Sequence, residues 1–183
     1  MLQVSRTPIS VFLIVFSLGL LSQLLSQNEV EIGRLEVLLD SNPEEAIPGL
    51  EDLVAVSPSP RSYFLLARAW AGIDANRSLF FLERIFELAP VHEQGWQLWA
   101  DIVTTSNQYV YALVRLQQQV EEHPQSSYLH LLLAQINVSA GKPSEAQKSF
   151  GRVLEIAPDN SVHKNHALFS LGYIHVSSNQ FKE

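Results

Sequence analysis

Apolar residues recur at helical spacing through most of the chain and are interrupted at regular intervals by proline. The segments FLERIFELAP, LQQQVEEHP and FGRVLEIAP place apolar residues three or four apart and then stop at a proline. Those prolines, Pro90, Pro124 and Pro158, follow Pro58 at intervals of 32, 34 and 34 residues. Small residues keep the same beat. Ala67, Ala100 and Ala134 are 33 and 34 apart, Ala112 and Ala146 are 34 apart, and Gly172 follows Ala134 by 38. Self-similarity at this period marks a stacked helical array, because one hairpin cannot bury its apolar stripe without neighbours in register. The pattern predicts an all-α fold, an α-solenoid of stacked antiparallel helix hairpins.

The N-terminus breaks the pattern. Residues 9–25 read ISVFLIVFSLGLLSQLL, and no charge interrupts the run from Thr7 to Asn28. Three readings fit it. A signal peptide would have its apolar core from Ile9 to Phe16 and be cut after Gly19, although no A-x-A pattern follows. A soluble helix would carry polar residues along one face, and this run has almost none. An uncleaved signal anchor explains the whole run, whose length suits a short membrane-spanning helix of about 17–20 residues. Arg6 before the run and Glu29 and Glu31 after it place the rest of the chain outside the cytoplasm. If the segment is cleaved, the product is secreted.

At its landmark residues the chain resembles the tetratricopeptide repeat (TPR) family. The segment 127–160 matches the family pattern with Leu133-Ala134 on its first helix (helix A), and Ala146, Phe150, Val153, Leu154 and Pro158 on its second (helix B). The segment 93–126 matches with Trp96, Trp99-Ala100, Ala112, Leu116, Val120 and Pro124. The segment 60–92 matches with Tyr63, Leu66-Ala67, Trp70, Leu82, Ile85, Phe86 and Pro90. Its inner loop is one residue short, and Ser78 or Leu79 stands where the family places Ala. Ala46, Leu50, Leu53, Val54 and Pro58 resemble the B helix of a degenerate first repeat, with 29–40 as its A helix; Leu168, Leu171-Gly172 and His175 resemble one more A helix.

Each landmark has a mechanical reason. A small residue on helix A lets the B helix approach closely. Trp96, Trp99, Leu133 and Phe150 fill the gaps between hairpins. Proline ends helix B because it lacks an N–H and disfavours helical geometry in the residue before it. The organisation expected is a signal anchor at 1–28, a degenerate hairpin at 29–58 and an array at 59–183, with repeats at about 60–92, 93–126 and 127–160 and an incomplete one at 161–183. In that phase, Asn179 to Glu183 form the turn and the first residues of a B helix. The implied architecture is a TPR-like right-handed superhelix preceded by one hydrophobic helix.

Composition narrows the chemistry. With 12 basic and 19 acidic residues among 183, the net charge is −7, which lacks the basic footprint of a nucleic-acid binder. There is no cysteine, hence no disulfide, thiolate zinc site or cysteine nucleophile. AGKPSEA lacks the first glycine and the strand of a phosphate loop, so it is read as an inter-helix turn. No G-x-S-x-G occurs. His163 and His166 are spaced to share a helix face, but no nearby acidic residue completes a metal site before Glu183. No metal and no cofactor is expected. Trp70, Trp96 and Trp99 fall at packing positions and are read as core rather than as a ligand cage. Asn76-Arg77-Ser78 and Asn137-Val138-Ser139 fit the N-glycosylation pattern.

What remains is a surface. The resemblance implies a concave groove lined by helix A positions, here Arg61, Phe64, Arg68, Gln94, Gln97, Asp101 and Thr104. Tyr128, Leu131, Gln135, Val138, Phe169 and Tyr173 continue it. TPR domains that hold a C-terminal carboxylate use a clamp of Lys and Asn; the matching positions here are Phe64/Arg68, Gln97/Asp101 and Leu131/Gln135, so that clamp is missing. The expectation is a non-catalytic, membrane-anchored scaffold that docks a protein or peptide partner in an envelope assembly. A regulatory or substrate-recruiting part of an enzyme whose catalytic portion is on another chain is the second reading. Self-association through the uncapped final helix is expected as well.

Overall fold

The computed structural model describes residues 28–180, with side chains as far as Ser177. The anchor expected at 1–28, all but its last residue, and the residues 181–183 lie outside the described part, and among the described residues no helix is long and apolar enough to cross a membrane. Those residues form nine helices and no strand. They are α1 (28–41), α2 (Pro43–Val56), α3 (Pro60–Ala71), α4 (Ala75–Leu88), α5 (Glu93–Thr105), α6 (Tyr109–Glu122), α7 (Ser127–Ser139), α8 (Pro143–Ile156) and α9 (Val162–Gln180).

The helix ends follow the proline rhythm. Helices α2, α4, α6 and α8 stop at Val56, Leu88, Glu122 and Ile156, each two residues before a landmark proline. The intervening residue closes the helix by donating its N–H four residues back, as Ala89 does to Ile85 O at 2.7 Å. The next helix opens on a side-chain cap: Ser59 before α3, His92 before α5 and Ser126 before α7.

From α2 to α9 each helix packs on the next, and the backbones of the odd-numbered helices α3, α5, α7 and α9 also approach in succession. Those of the even-numbered ones stay farther apart, and α4 and α6 meet through the Arg115–Glu83 ion pair at 3.0 Å. The odd helices therefore line one face of the array and the even helices the other. Three apolar clusters run along it: α1 to α3 around Leu35, Leu50 and Leu66; α3 to α7 around Trp96, Trp99 and Leu116; and α7 to α9 around Phe150 and Val153. Gly49 gives the first its close approach: an added Cβ would sit 2.6 Å from Leu35 Cδ2, and the Leu35 side chain would have to shift.

The landmarks acquire contacts. Ser78 occupies the family's alanine position: it is fully buried and its Oγ donates to Ala67 O at 2.8 Å. The loops after α5 and α7 each need a left-handed residue, supplied by Asn107 (φ 55°) and Gly141 (φ 70°), which lie 34 apart. The α3–α4 loop is equally three residues long, not one shorter as the sequence pattern predicts; the missing residue comes from α3, which has 12 residues against 13 in α5 and α7. This loop omits the left-handed conformation, with Gly72 at φ −90° and Asp74 capping α4. Trp96 Nε1 donates to Pro90 O at 2.7 Å, and His130 Nε2 donates to Pro124 O at 3.1 Å in the same place one repeat later.

Several expectations are corrected. Gly172 is not at a close crossing: it is exposed, with open space around an added Cβ. Ala167 is fully buried there instead, 33 residues after Ala134, so the beat continues where the interval of 38 had broken it. The turn expected at Asn179 is replaced by helix running to Gln180, because from Tyr173 to Ser178 no residue of the Gly/Asn type ends the helix as Asn107 and Gly141 do. Trp70 is only half-buried, with the Arg77 guanidinium 4.3 Å from its ring centre. Asn137 is buried and donates to Leu133 O at 3.0 Å, which removes it as a glycosylation acceptor.

Candidate functional site

The odd-numbered helices enclose a cleft of about 370 Å³ between α5, α7 and α9. Its floor is apolar, made by Ala100, Leu132, Ile136, Phe150 and Ile174. Gln97, Asp101 and Thr104 on α5 and Gln135 and Val138 on α7 form two walls. Phe169 and Tyr173 on α9 form the third, and they are 77% and 67% exposed although both are aromatic. Burying such rings is worth on the order of 1.5–3 kcal/mol each, so leaving them out is a cost that a bound partner would recover.

The polar wall is already ordered. Tyr128 Oη donates to Gln97 Oε1 at 3.2 Å, and Gln97 Nε2 donates to Asp101 Oδ1 at 2.9 Å. Burial pushes the Tyr128 hydroxyl well above its usual range, reinforced by the negative charges of Glu93 and Asp101, so it stays a donor. Thr104 Oγ1 gives its hydrogen to Ala100 O at 2.7 Å and presents lone pairs outward. Gln135 Nε2 lies 3.4 Å from His166 Nε2. On α9, His163 Nδ1 is 2.9 Å from Ser127 Oγ and its Nε2 is 3.7 Å from Glu93, which fixes the start of the helix.

The residues expected to line a groove fall in different places, with Gln94, at the start of α5, exposed and outside this cleft. Gln97, Asp101, Thr104, Gln135, Val138, Phe169 and Tyr173 share this cleft. Arg61, Phe64 and Arg68 on α3 do not reach it. Arg61 is held by Glu29 at 2.9 Å and Glu36 at 3.0 Å, and Arg68 by Asp40 at 2.8 Å. These bridges tie α1 to α3, an engagement unseen in the sequence because the degenerate first repeat hid which face α1 presents. Phe64 packs against His92, ring centres 5.6 Å apart. Leu131 requires a correction: it is 4% exposed and belongs to the core shared by α7, α8 and α9. Helix α9 covers it, so register alone assigned it to the wrong environment, and Leu132 takes a place in the cleft instead. Tyr128 acts beneath the wall, through Gln97.

A larger cleft, about 670 Å³, opens between α6 and α8 on the other face. Two of its three cationic groups are tied up on α8 itself, Lys148 by Glu145 at 3.1 Å and Arg152 by Glu155 at 2.6 Å. No group of three His, Asp or Glu among the described residues is arranged to hold a metal ion.

Residues 104–168 match the tetratricopeptide repeat family. The fold is that of a TPR-like solenoid, shared with solved structures of low sequence identity. PilF of Pseudomonas aeruginosa is 14% identical with a TM-score of 0.60, over 84% of this chain and 70% of that one. A MamA protein is 20% identical with a TM-score of 0.53, over 74% and 75%. YrrB, described as a TPR protein with an unusual peptide-binding site, is 15% identical with a TM-score of 0.51, over 83% and 78%. No curated protein matches the chain.

Proposed function

We propose that the protein is a non-catalytic scaffold that holds a segment of a partner protein in the cleft of α5, α7 and α9. The observation that carries this is the pair of exposed rings, Phe169 and Tyr173, set over an apolar floor in a cleft with ordered polar walls. Aromatic side chains left exposed around a desolvated floor have the anatomy of a binding hot spot. YrrB, with the same fold, is described as binding peptide. The test is to place a photo-crosslinking residue at Tyr173 of the full chain in its native membranes. Crosslinks to one partner that vanish when Phe169 is changed to Ala support the reading; equal crosslinking from Gln147, on the opposite face, would refute it.

Within this proposal the apolar run Ile9–Leu25 anchors the array on the outer side of a membrane, where it serves an envelope assembly. Recovery of the intact N-terminus in the membrane fraction would support this, and a soluble product beginning near Leu20 would refute it. Self-association uses the exposed Leu168 and Val176 of α9, and sedimentation of Leu168→Glu against the unchanged chain tests it.

A further inference from the structure

We infer that the α5/α7/α9 cleft is selective for a cationic segment, one that presents arginine or lysine beside an aliphatic or aromatic residue. This rests on the reading of the cleft as a partner site and gives that partner its chemistry.

Among the described residues that line the cleft, Asp101 is the only charged one; no lysine or arginine is present. Elsewhere along the odd-numbered helices acidic groups are neutralised within the molecule: Glu29 and Glu36 by Arg61, and Asp40 by Arg68. Among the described residues Asp101 has no such partner: its side chain lines the cleft and accepts the Gln97 amide on Oδ1 at 2.9 Å. Gln97 is itself held at its other end, where its Oε1 accepts from the Tyr128 hydroxyl at 3.2 Å. The carboxylate is thus oriented before any ligand arrives, and a fixed acceptor loses less entropy on binding than a mobile one.

The other side of the cleft adds to the same preference. Phe169 and Tyr173 offer aromatic faces, which attract a guanidinium or ammonium group while the rest of the ligand side chain packs on the ring. Ile136 and Phe150 on the floor accept the neighbouring apolar residue. A volume of about 370 Å³ falls at the lower end of ligand clefts, roughly 300–1,000 Å³. It fits a few side chains of an extended segment rather than a folded domain. An acidic segment or a chain-terminal carboxylate meets Asp101 with no cation to hold it. The molecule's net charge of −7 draws in the same sign of partner.

The experiment is to select binders from a random displayed peptide library on the full chain in detergent. Binding of the selected peptides is then measured against Asp101→Asn and against Ser170→Trp, which fills the cleft, with helical circular dichroism confirming that each variant is folded. The expected binders are rich in arginine or lysine next to apolar residues and lose affinity with Ser170→Trp. Asp101→Asn weakens them on the order of tenfold, equivalent to about 1.4 kcal/mol, and added salt weakens them further. Binders that are neutral or acidic, lost with Ser170→Trp and indifferent to Asp101→Asn, overturn the cationic preference and leave the cleft as the partner site. Binders indifferent to both variants, or no binders at all, overturn both.

Discussion

The hairpins α5/α6 and α7/α8 stand in the same repeat phase, yet they close differently. The backbones of α7 and α8 run close together, as do those of α3 and α4, whereas α5 and α6 approach each other over a much shorter length. All three carry a small buried residue on helix A, Ala67, Ala100 or Ala134, and a small one on helix B, Ser78, Ala112 or Ala146. The difference is one residue earlier. Leu66 and Leu133 precede their alanines, whereas Trp99 precedes Ala100. The Trp99 ring, fully buried, sits edge-on to Trp96 at 5.3 Å and reaches Tyr111 on α6 at 5.9 Å. The small residues therefore set the phase of the array, and the residue before each of them sets the gap within the hairpin.

The largest break in that comparison is Trp99→Ala, expected to cost about 3–5 kcal/mol by chemical denaturation, as deletion of a buried aromatic does. Trp99→Leu should cost less and bring α6 toward α5, read as a shorter distance between spin labels at Gln94 and Gln118. An unchanged distance would show that something other than Trp99 holds the hairpin open. Next in size is overpacking. Ala134→Trp, in the close hairpin, should lose about 1–3 kcal/mol or more, and Ala100→Trp should lose less; the reverse order would put the tight crossing in α5/α6. Gln118→Ala, on an exposed face, is the control and should stay within about 0.5 kcal/mol.

The two loops sharpen the comparison at smaller scale. Gly141→Ala should cost about 1–2 kcal/mol, wholly from the left-handed backbone, since an added Cβ there meets nothing. Asn107→Gly, relieving the equivalent position, should be neutral or slightly stabilising in a thermal melt. A loss at Asn107→Gly equal to that at Gly141→Ala would mean that the asparagine side chain, not the backbone, supports the α5/α6 loop.

The smallest effect expected is acid sensitivity. Burial holds both His92 and His130 below the ordinary histidine range, and both rings accept or donate as neutral groups. The unfolded chain takes up these protons first, near pH 6.5. The stabilisation is therefore complete above that value and declines as pH falls toward the folded-state values. His92→Asn, which keeps an N-cap, should flatten part of the decline of melting temperature between neutral and mildly acidic pH; an unaltered slope would remove His92 from the account.

The repeat phase was legible because proline and small residues act locally: α4, α6 and α8 each stop two residues before Pro90, Pro124 and Pro158, although Pro48 is carried inside α2. The cleft was legible in part, through Gln97, Asp101, Thr104, Gln135, Phe169 and Tyr173. Leu131 was misplaced because its environment depends on packing with α8 and α9, around Phe150 and Ala167, which the register of its own helix does not show. The pairing of Arg61 and Arg68 with α1 was not legible at all, since charges 25 to 32 residues away in sequence meet only after the first hairpin has stacked. Gly172 misled for the opposite reason: glycine marks close approach only where another element arrives, and none of the described residues does.

The junction between α4 and α5 carries its own optical gauge. Trp96 lies flat on Phe86, ring centres 3.9 Å apart and 12° from parallel, with its N–H on the Pro90 carbonyl and Trp99 sealing one edge. Of the three tryptophans, only Trp70 has access to solvent. In a Trp70→Phe chain the remaining emission comes from two dry indoles, so parting of α4 from α5 would register as a red shift and new access to quencher. Strain passed along the array, whether from a bound partner or from a surface to which one end is tied, becomes readable as colour at its midpoint.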